Sequence, residues 1–200
     1  MNEISPNEMK AILVIFKDFS SSYNANNLSK ILNITSMGCL KILKNLEKKK
    51  ILISKQLGKA RFYNIDFENS YAKTYLRFIL ENEAEESIPK IKKVVKEVRK
   101  LQEYADIGVV FGSVLSKEYY ADVDLLLVLD TQKNVNIDKT IEDIDKITIK
   151  KIHAVKQTKE DLVNNLKKDN VIVVSAIKEG VVAFGYEKLI QVIEDVSQPK

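Results

Sequence analysis

The sequence has no tryptophan, one cysteine, one histidine, three prolines and six glycines among its 200 residues. The lone cysteine, Cys39, closes no intrachain disulfide and has no Cys or His nearby to share a metal. It sits among small and apolar residues, which favours packing in a core over redox chemistry. No window of about 18 apolar residues occurs, so nothing in the pattern spans a membrane. The stretch Met1 to Pro6 lacks the basic start and apolar run of a secretory signal, which predicts a cytoplasmic chain. Internal repeats and low-complexity segments are also missing. What is present, 45% hydrophobic and 30% charged residues, is enough for proper cores in one large domain or two modest ones.

The net charge of +4 is unevenly placed. Residues 1–105 carry 19 Lys/Arg against 12 Asp/Glu, a net of +7, whereas residues 106–200 carry 13 against 16, a net of −3. This asymmetry points to a polyanion-binding front half and a back half with another role. Solvated faces of lysine-rich helices are the plainer explanation, and charge alone does not choose between the two.

Met9, Ile12, Leu13, Ile15, Phe16 and Phe19 recur at three- and four-residue steps, predicting a helix from Asn7 to about Phe19. Ser20 to Asn24 breaks it, and Asn26 or Asn27 can cap a short second helix. Thr35 or Ser36 caps a third, running to about Lys49. It would bury Cys39, Leu40, Ile42, Leu43 and Leu46 and expose Lys41, Lys44, Asn45 and Lys48. Two strand-like runs flank Gly58-Lys59, a hairpin signal. A further helix, Asn69 to about Glu83, precedes an acidic, apolar-poor stretch, Glu81 to Ser87, which is the best linker candidate. Pro89 suits the first turn of a basic helix reaching about Tyr104. Beyond it lie short apolar runs at Ile107–Phe111 and Val123–Leu129, a helix near Ile137–Asp145 and a strand from Ile147 to Val155. Helices over 158–169 and 171–179, a brief strand at Val181–Phe184 and a last helix, Tyr186–Asp195, complete the chain.

Three helices followed by a basic hairpin is the winged-helix order. A recognition helix needs a capped N-terminus with short side chains where it enters the major groove. Thr35, Ser36 and Gly38 meet that need, with Lys41, Asn45 and Lys48 further along. A wing needs cations at its tip, and Lys55, Lys59 and Arg61 flank the Gly58 turn. A small helical domain whose hairpin binds another protein is the alternative. Over roughly residues 7–82, including the wing-like segment Leu57 to Ile65, the chain resembles the winged-helix domains of MarR- and ArsR-like regulators. That resemblance implies double-stranded DNA as partner. It also implies a homodimer through Asn69–Glu83, a helix that could equally pack on this chain's own second domain.

Phe111-Gly112-Ser113, eight residues, then Asp122-Val123-Asp124 form a second constellation. Gly-Ser at a strand end lets backbone N–H groups and a hydroxyl approach a phosphate. Carboxylates two apart on a strand share a face and can share Mg²⁺. Residues 90–195 look like the DNA polymerase β-type nucleotidyltransferase superfamily, especially its minimal forms. By that resemblance Gly112 and Ser113 would bind a nucleoside triphosphate, and Asp122 and Asp124 magnesium. Three departures stand out. The gap between the two motifs is short, Ala121 replaces a small polar residue, and the strand expected over Ile147–Val155 lacks the family's third carboxylate. Lys150, Lys151 and His153 occupy it instead, and His153 is the weak candidate for a substitute base.

The expected fold is therefore α+β. A winged helix-turn-helix domain with its trailing helix would span residues 1–84, and a small mixed-sheet α/β nucleotidyltransferase-like domain residues 85–200. The leading functional expectation is a DNA-binding transcriptional regulator whose second domain is degenerate or nucleotide-sensing. One rival is an active Mg²⁺-dependent nucleotidyltransferase targeted by its winged helix, moving a nucleoside monophosphate onto a protein or nucleic-acid hydroxyl. Another is an antitoxin-like partner-binding protein.

Overall fold

The computed structural model describes residues 4–129, 137–147 and 150–197. The chain is a mixed α+β protein with two small sheets, and it divides into two compact units, Met1–Ile79 and Leu80–Lys200.

The first unit begins with α1, Pro6–Lys17. Ser5 caps it: the serine side chain accepts from the Glu8 N–H while the Glu8 carboxylate accepts from the Ser5 N–H, and Pro6 fills the first turn. Tyr23 follows in an extended loop. Its carbonyl accepts from the Tyr63 N–H at 2.8 Å, and its hydroxyl donates to Asp18. Helix α2, Ala25–Leu32, is capped by Asn24 and not by Asn26 or Asn27. The Asn24 side chain accepts from the backbone N–H groups of both those residues, at 2.9 and 3.1 Å. In a run of asparagines the one that stays extended becomes the cap, and composition does not mark it. Helix α3, Ser36–Lys48, is capped by Thr35.

Strands β1, Leu52–Leu57, and β2, Ala60–Ile65, pair antiparallel with Leu57 opposite Ala60. Their loop is Gly58-Lys59, and Gly58 holds φ +60° at the first loop position, as tight hairpins with matching twist require. Phe16, Leu28, Cys39, Leu43, Leu46 and Tyr63 are fully buried and form the centre of this unit. Burial pushes the Cys39 thiol up, away from a reactive thiolate.

Helix α4, Ser70–Glu85, crosses the division between the units. The linker expected over Glu81–Ser87 is thus helical to Glu85. Glutamates and alanine are good helix formers, and Ala84 is buried. In the second unit α5, Pro89–Val98, passes into a 3₁₀ turn, Arg99–Glu103, so the helix expected to reach Tyr104 tightens at its end. Then come β3 (Ala105–Phe111), α6 (Ser113–Ser116), β4 (Val123–Leu129), α7 (Ile137–Ile147) and β5 (Ile152–Thr158). They are followed by α8 (Lys159–Lys167), α9 (Val171–Glu179), β6 (Val181–Phe184) and α10 (Tyr186–Ser197). The sheet order is β5-β4-β3-β6, with β4 and β5 parallel and the other pairs antiparallel.

The strand expected over Ile147–Val155 starts later, because Ile147 ends α7. Its residues 148 and 149 lie outside the described residues. The turn into β5 is held by the Asp145 carboxylate, which accepts from the Ile152 N–H at 2.8 Å. Val123, Leu125 and Leu127 cluster with Ile91, Val95 and Val98 of α5 and with Ile141 and Ile144 of α7. Alternation sends Asp124, Leu126 and Val128 to the opposite face. Helices α8, α9 and α10 pack on β3 and β4 as well.

Candidate functional site

In the first unit the surface of α3 is decided by its cap and its period. Thr35 Oγ1 accepts from the Gly38 N–H at 3.1 Å, and a Cβ on Gly38 would stand 3.1 Å from that same oxygen, so glycine keeps the cap uncrowded. Ser36 Oγ lies 3.3 Å from Ser29 Oγ of α2, which ties the two helices together where they meet. Cys39, Leu43 and Leu46 turn inward. The opposite side is left to Met37, 67% exposed, and to Lys41, Lys44 and Lys48, all exposed. These four share one face at helical spacing. None of the three lysines has an acidic partner among the described residues. Lys44 and Met37 were absent from the sequence-derived interface; the spacing from Lys41 and Lys48 was the signal that could have placed them there.

Asn45 has a different place. Its Nδ2 donates to Glu8 Oε1 at 2.6 Å, and Lys49 Nζ donates to the same oxygen at 3.1 Å, while Glu8 Oε2 accepts from the Ser5 N–H at 2.9 Å. Burial alone would raise the Glu8 pKa. The Ser5 N–H, Lys49 and Asn45 together outweigh it and hold the carboxyl below its ordinary value. Asn45 therefore locks α3 onto α1 and flanks the lysine face without pointing along it. Sequence could not reveal this contact, because its partner is 37 residues away.

On the hairpin, Lys55 and Lys59 are exposed, with Lys59 in the loop itself. Arg61 is half-exposed, and one of its nitrogens stands 3.8 Å from Glu47, which also accepts from Ser54 Oγ at 2.5 Å. Arg61 is thus drawn back toward α3, and Lys59 is the cation at the tip. On α4, Asn69 precedes the helix, while Tyr71 and Phe78 are about half-exposed and Tyr71 packs on Tyr75 with ring centroids 5.3 Å apart.

In the second unit Gly112 sits between β3 and the short α6 with φ +77°. A Cβ there would lie 2.1 Å from Asp124 Oδ2, so the Asp124 carboxylate rests directly against the glycine backbone. Ser113 begins α6. His153 faces Asp124 across the parallel β4–β5 pair, its Nδ1 3.5 Å from Asp124 Oδ1. Gly112, Asp124 and His153 are brought together. Asp122 lies in the bend before β4, where strand alternation does not aim it with Asp124. Lys151 uses its carbonyl to accept from the Val123 N–H at 2.9 Å. Among the described residues no three His, Cys, Asp or Glu side chains gather as a metal site would need. Mg²⁺ prefers six oxygens in near-octahedral array, and one carboxylate beside an imidazole fits it poorly. No described helix is long and apolar enough to cross a membrane.

No protein-family model matches the chain, and no curated protein matches it. Two solved structures of mutants of Lactococcus lactis ZitR are similar to part of it. One, at TM-score 0.31 and 12% identity, covers 52% of this chain and 76% of its own. The other, at TM-score 0.30 and 11% identity, covers 51% of this chain and 75% of its own. A likeness of that size assigns no family.

Proposed function

We propose that this chain is a DNA-binding transcriptional regulator whose first unit is a winged helix-turn-helix. The observation that carries the reading is the unpaired cationic face of α3, made of Lys41, Lys44 and Lys48, on a helix capped by Thr35. The hairpin whose loop carries Lys59, and the Tyr23–Tyr63 bridge that ties it to the loop before α2, support it. In this reading α3 enters the major groove, its first turn nearest the base edges and its lysines along the phosphates. Lys55, Lys59 and Arg61 make the wing.

The test is salt-dependent binding of the full chain to a pool of duplex oligonucleotides. Each phosphate contact contributes a slope of about 0.9 in log K against log salt. Lys41→Ala with Lys44→Ala and Lys48→Ala is expected to flatten the slope by about 2 to 3. An unchanged slope, or no duplex binding by the parent protein at low salt, rejects the reading in favour of a protein-binding module.

For the second unit we propose a nucleotidyltransferase-like fold that binds a phosphate-bearing ligand without transferring it. The contact of Asp124 with the Gly112 backbone supports the fold. His153 in place of a carboxylate on β5, with no acid between Ile152 and Thr158, favours regulation over catalysis. Labelled nucleoside triphosphate with Mg²⁺ or Mn²⁺ decides the matter. Label transferred to an acceptor, and lost in Asp124→Asn, would establish the enzyme instead.

A further inference from the structure

A concavity lies on the face of the sheet opposite the Gly112 site. Val123 and Ile152 line it, and each is the strand neighbour of a residue on the Gly112 side, Asp124 and His153 respectively, so alternation sends the two sites to opposite faces. The cleft holds about 110 Å³. Its floor is apolar: Val94 and Val98 from α5, Val123 and Ile152 from the sheet, and Ile144 from α7. Its rim is cationic. Lys90 and Lys93 stand one turn apart on α5, and Lys150 comes from the segment before β5. Tyr120 completes the rim, with Lys90 Nζ 5.5 Å and Lys150 Nζ 5.7 Å from its ring centroid.

The lining holds one acid, Glu97, which is engaged by Lys100, and Lys90 Nζ also donates to the Lys117 carbonyl, so three lysines line the cleft against a single carboxylate. Two ammonium groups gathered on one aromatic ring, above a floor that water gains little by wetting, are complementary to an amphipathic anion. The volume bounds the body of such a ligand. An enclosed apolar cavity of roughly 150 Å³ accepts a benzene ring, so this smaller but open cleft takes at most one ring or a short alkyl chain and leaves anything larger outside.

We propose that this cleft binds a small organic anion, a carboxylate or phosphate monoester on a single-ring or short-alkyl body. The apolar part lies on Val94, Val98 and Ile144, and the charge between Lys90, Lys93 and Lys150. Every lining residue belongs to the second unit. None of them is shared with the Gly112 site on the opposite face of the sheet.

The test is calorimetric titration of the full chain with benzoate, hexanoate and phenyl phosphate. Benzyl alcohol, hexanol and inorganic phosphate serve as probes lacking either the charge or the body. At least one of the three anions is expected to bind once per chain, tenfold or more tighter than its counterparts. That affinity should fall tenfold or more in Lys90→Ala with Lys93→Ala and in the surface variant Lys93→Glu, and should persist in Asp124→Asn. Three outcomes overturn the proposal: no anion exceeds its uncharged counterpart, inorganic phosphate binds as well as phenyl phosphate, or Asp124→Asn abolishes binding while the lysine variants do not.

Discussion

Two residues carry more of this structure than their size implies. Gly58 and Gly112 both hold positive φ, yet their surroundings differ: nothing lies within 4 Å of a Cβ built on Gly58, whereas one on Gly112 meets Asp124 at 2.1 Å. Gly58→Ala is therefore expected to cost about 1 kcal/mol, the backbone penalty alone. Gly112→Ala adds a clash with a short side chain that cannot swing clear, for about 3 kcal/mol in all. Denaturant unfolding of the two variants checks the order, and equal losses would mean that Asp124 yields freely. Glu8 is the second kind of case. Its folded pKa is depressed, so the stability it contributes is present above its ordinary value of 4.5 and is lost as pH falls through the lower folded value. Glu8→Gln should cost about 1 to 3 kcal/mol at pH 7. The gap to the parent protein should close as both are taken from pH 4.5 down through that lower folded value, because the parent carboxyl then also becomes neutral. A gap that stays constant with pH would show that the carboxylate charge contributes nothing.

At the scale of elements, α3 separates lysines that composition treats alike. Lys48 stands on the open face, and its neighbour Lys49 is bound to Glu8 at 3.1 Å. Lys48→Ala is expected to lower the salt slope of duplex binding by about 1 without changing stability. Lys49→Ala should leave the slope nearly intact while destabilising the α1–α3 contact. Salt titrations paired with thermal melts of each variant distinguish the two, and identical behaviour would remove the face assignment. The helices and the hairpin were legible because each rests on local signals: the apolar period of α1 and α3, a capping hydroxyl at Thr35 or Ser36, and the glycine between two alternating runs. What escaped is non-local or depends on which of several equivalent residues wins. Asn24 outcompetes two other asparagines for one cap, the Asn45–Glu8 bond joins distant segments, and β5 begins only where Asp145 catches the Ile152 N–H. In the second site the spacing of Gly112 and Asp124 announced their meeting. The displacement of Asp122 into a bend could not be read from a two-residue repeat.

At the scale of the whole chain, α4 decides where the second unit begins. An acidic, apolar-poor stretch reads as a linker, so a fragment would be cut near Ser87. Yet Ala84 is buried in the cluster formed with Ile91, Val95 and Val98. Glu85 also accepts from Arg99 at 2.6 Å, and Arg99 Nε donates to the Ala183 carbonyl at 3.0 Å. The guanidinium joins the end of α4 to β6, and the Tyr186 hydroxyl adds a third partner at 3.1 Å. Burial lowers the Arg99 pKa, but Glu85 and Tyr186 more than restore it, so the charge is kept and its partner matters. A fragment of residues 80–200 retains this arrangement, and one of residues 88–200 leaves Arg99 without its carboxylate and uncovers the site of Ala84. The shorter fragment is expected to be less stable by about 2 to 4 kcal/mol. Thermal melts of the two fragments measure the difference. Glu85→Gln in the longer one isolates the ionic share, since it keeps Ala84 in place. If both fragments melt together, the last turn of α4 belongs to neither core and the boundary moves to Ser87.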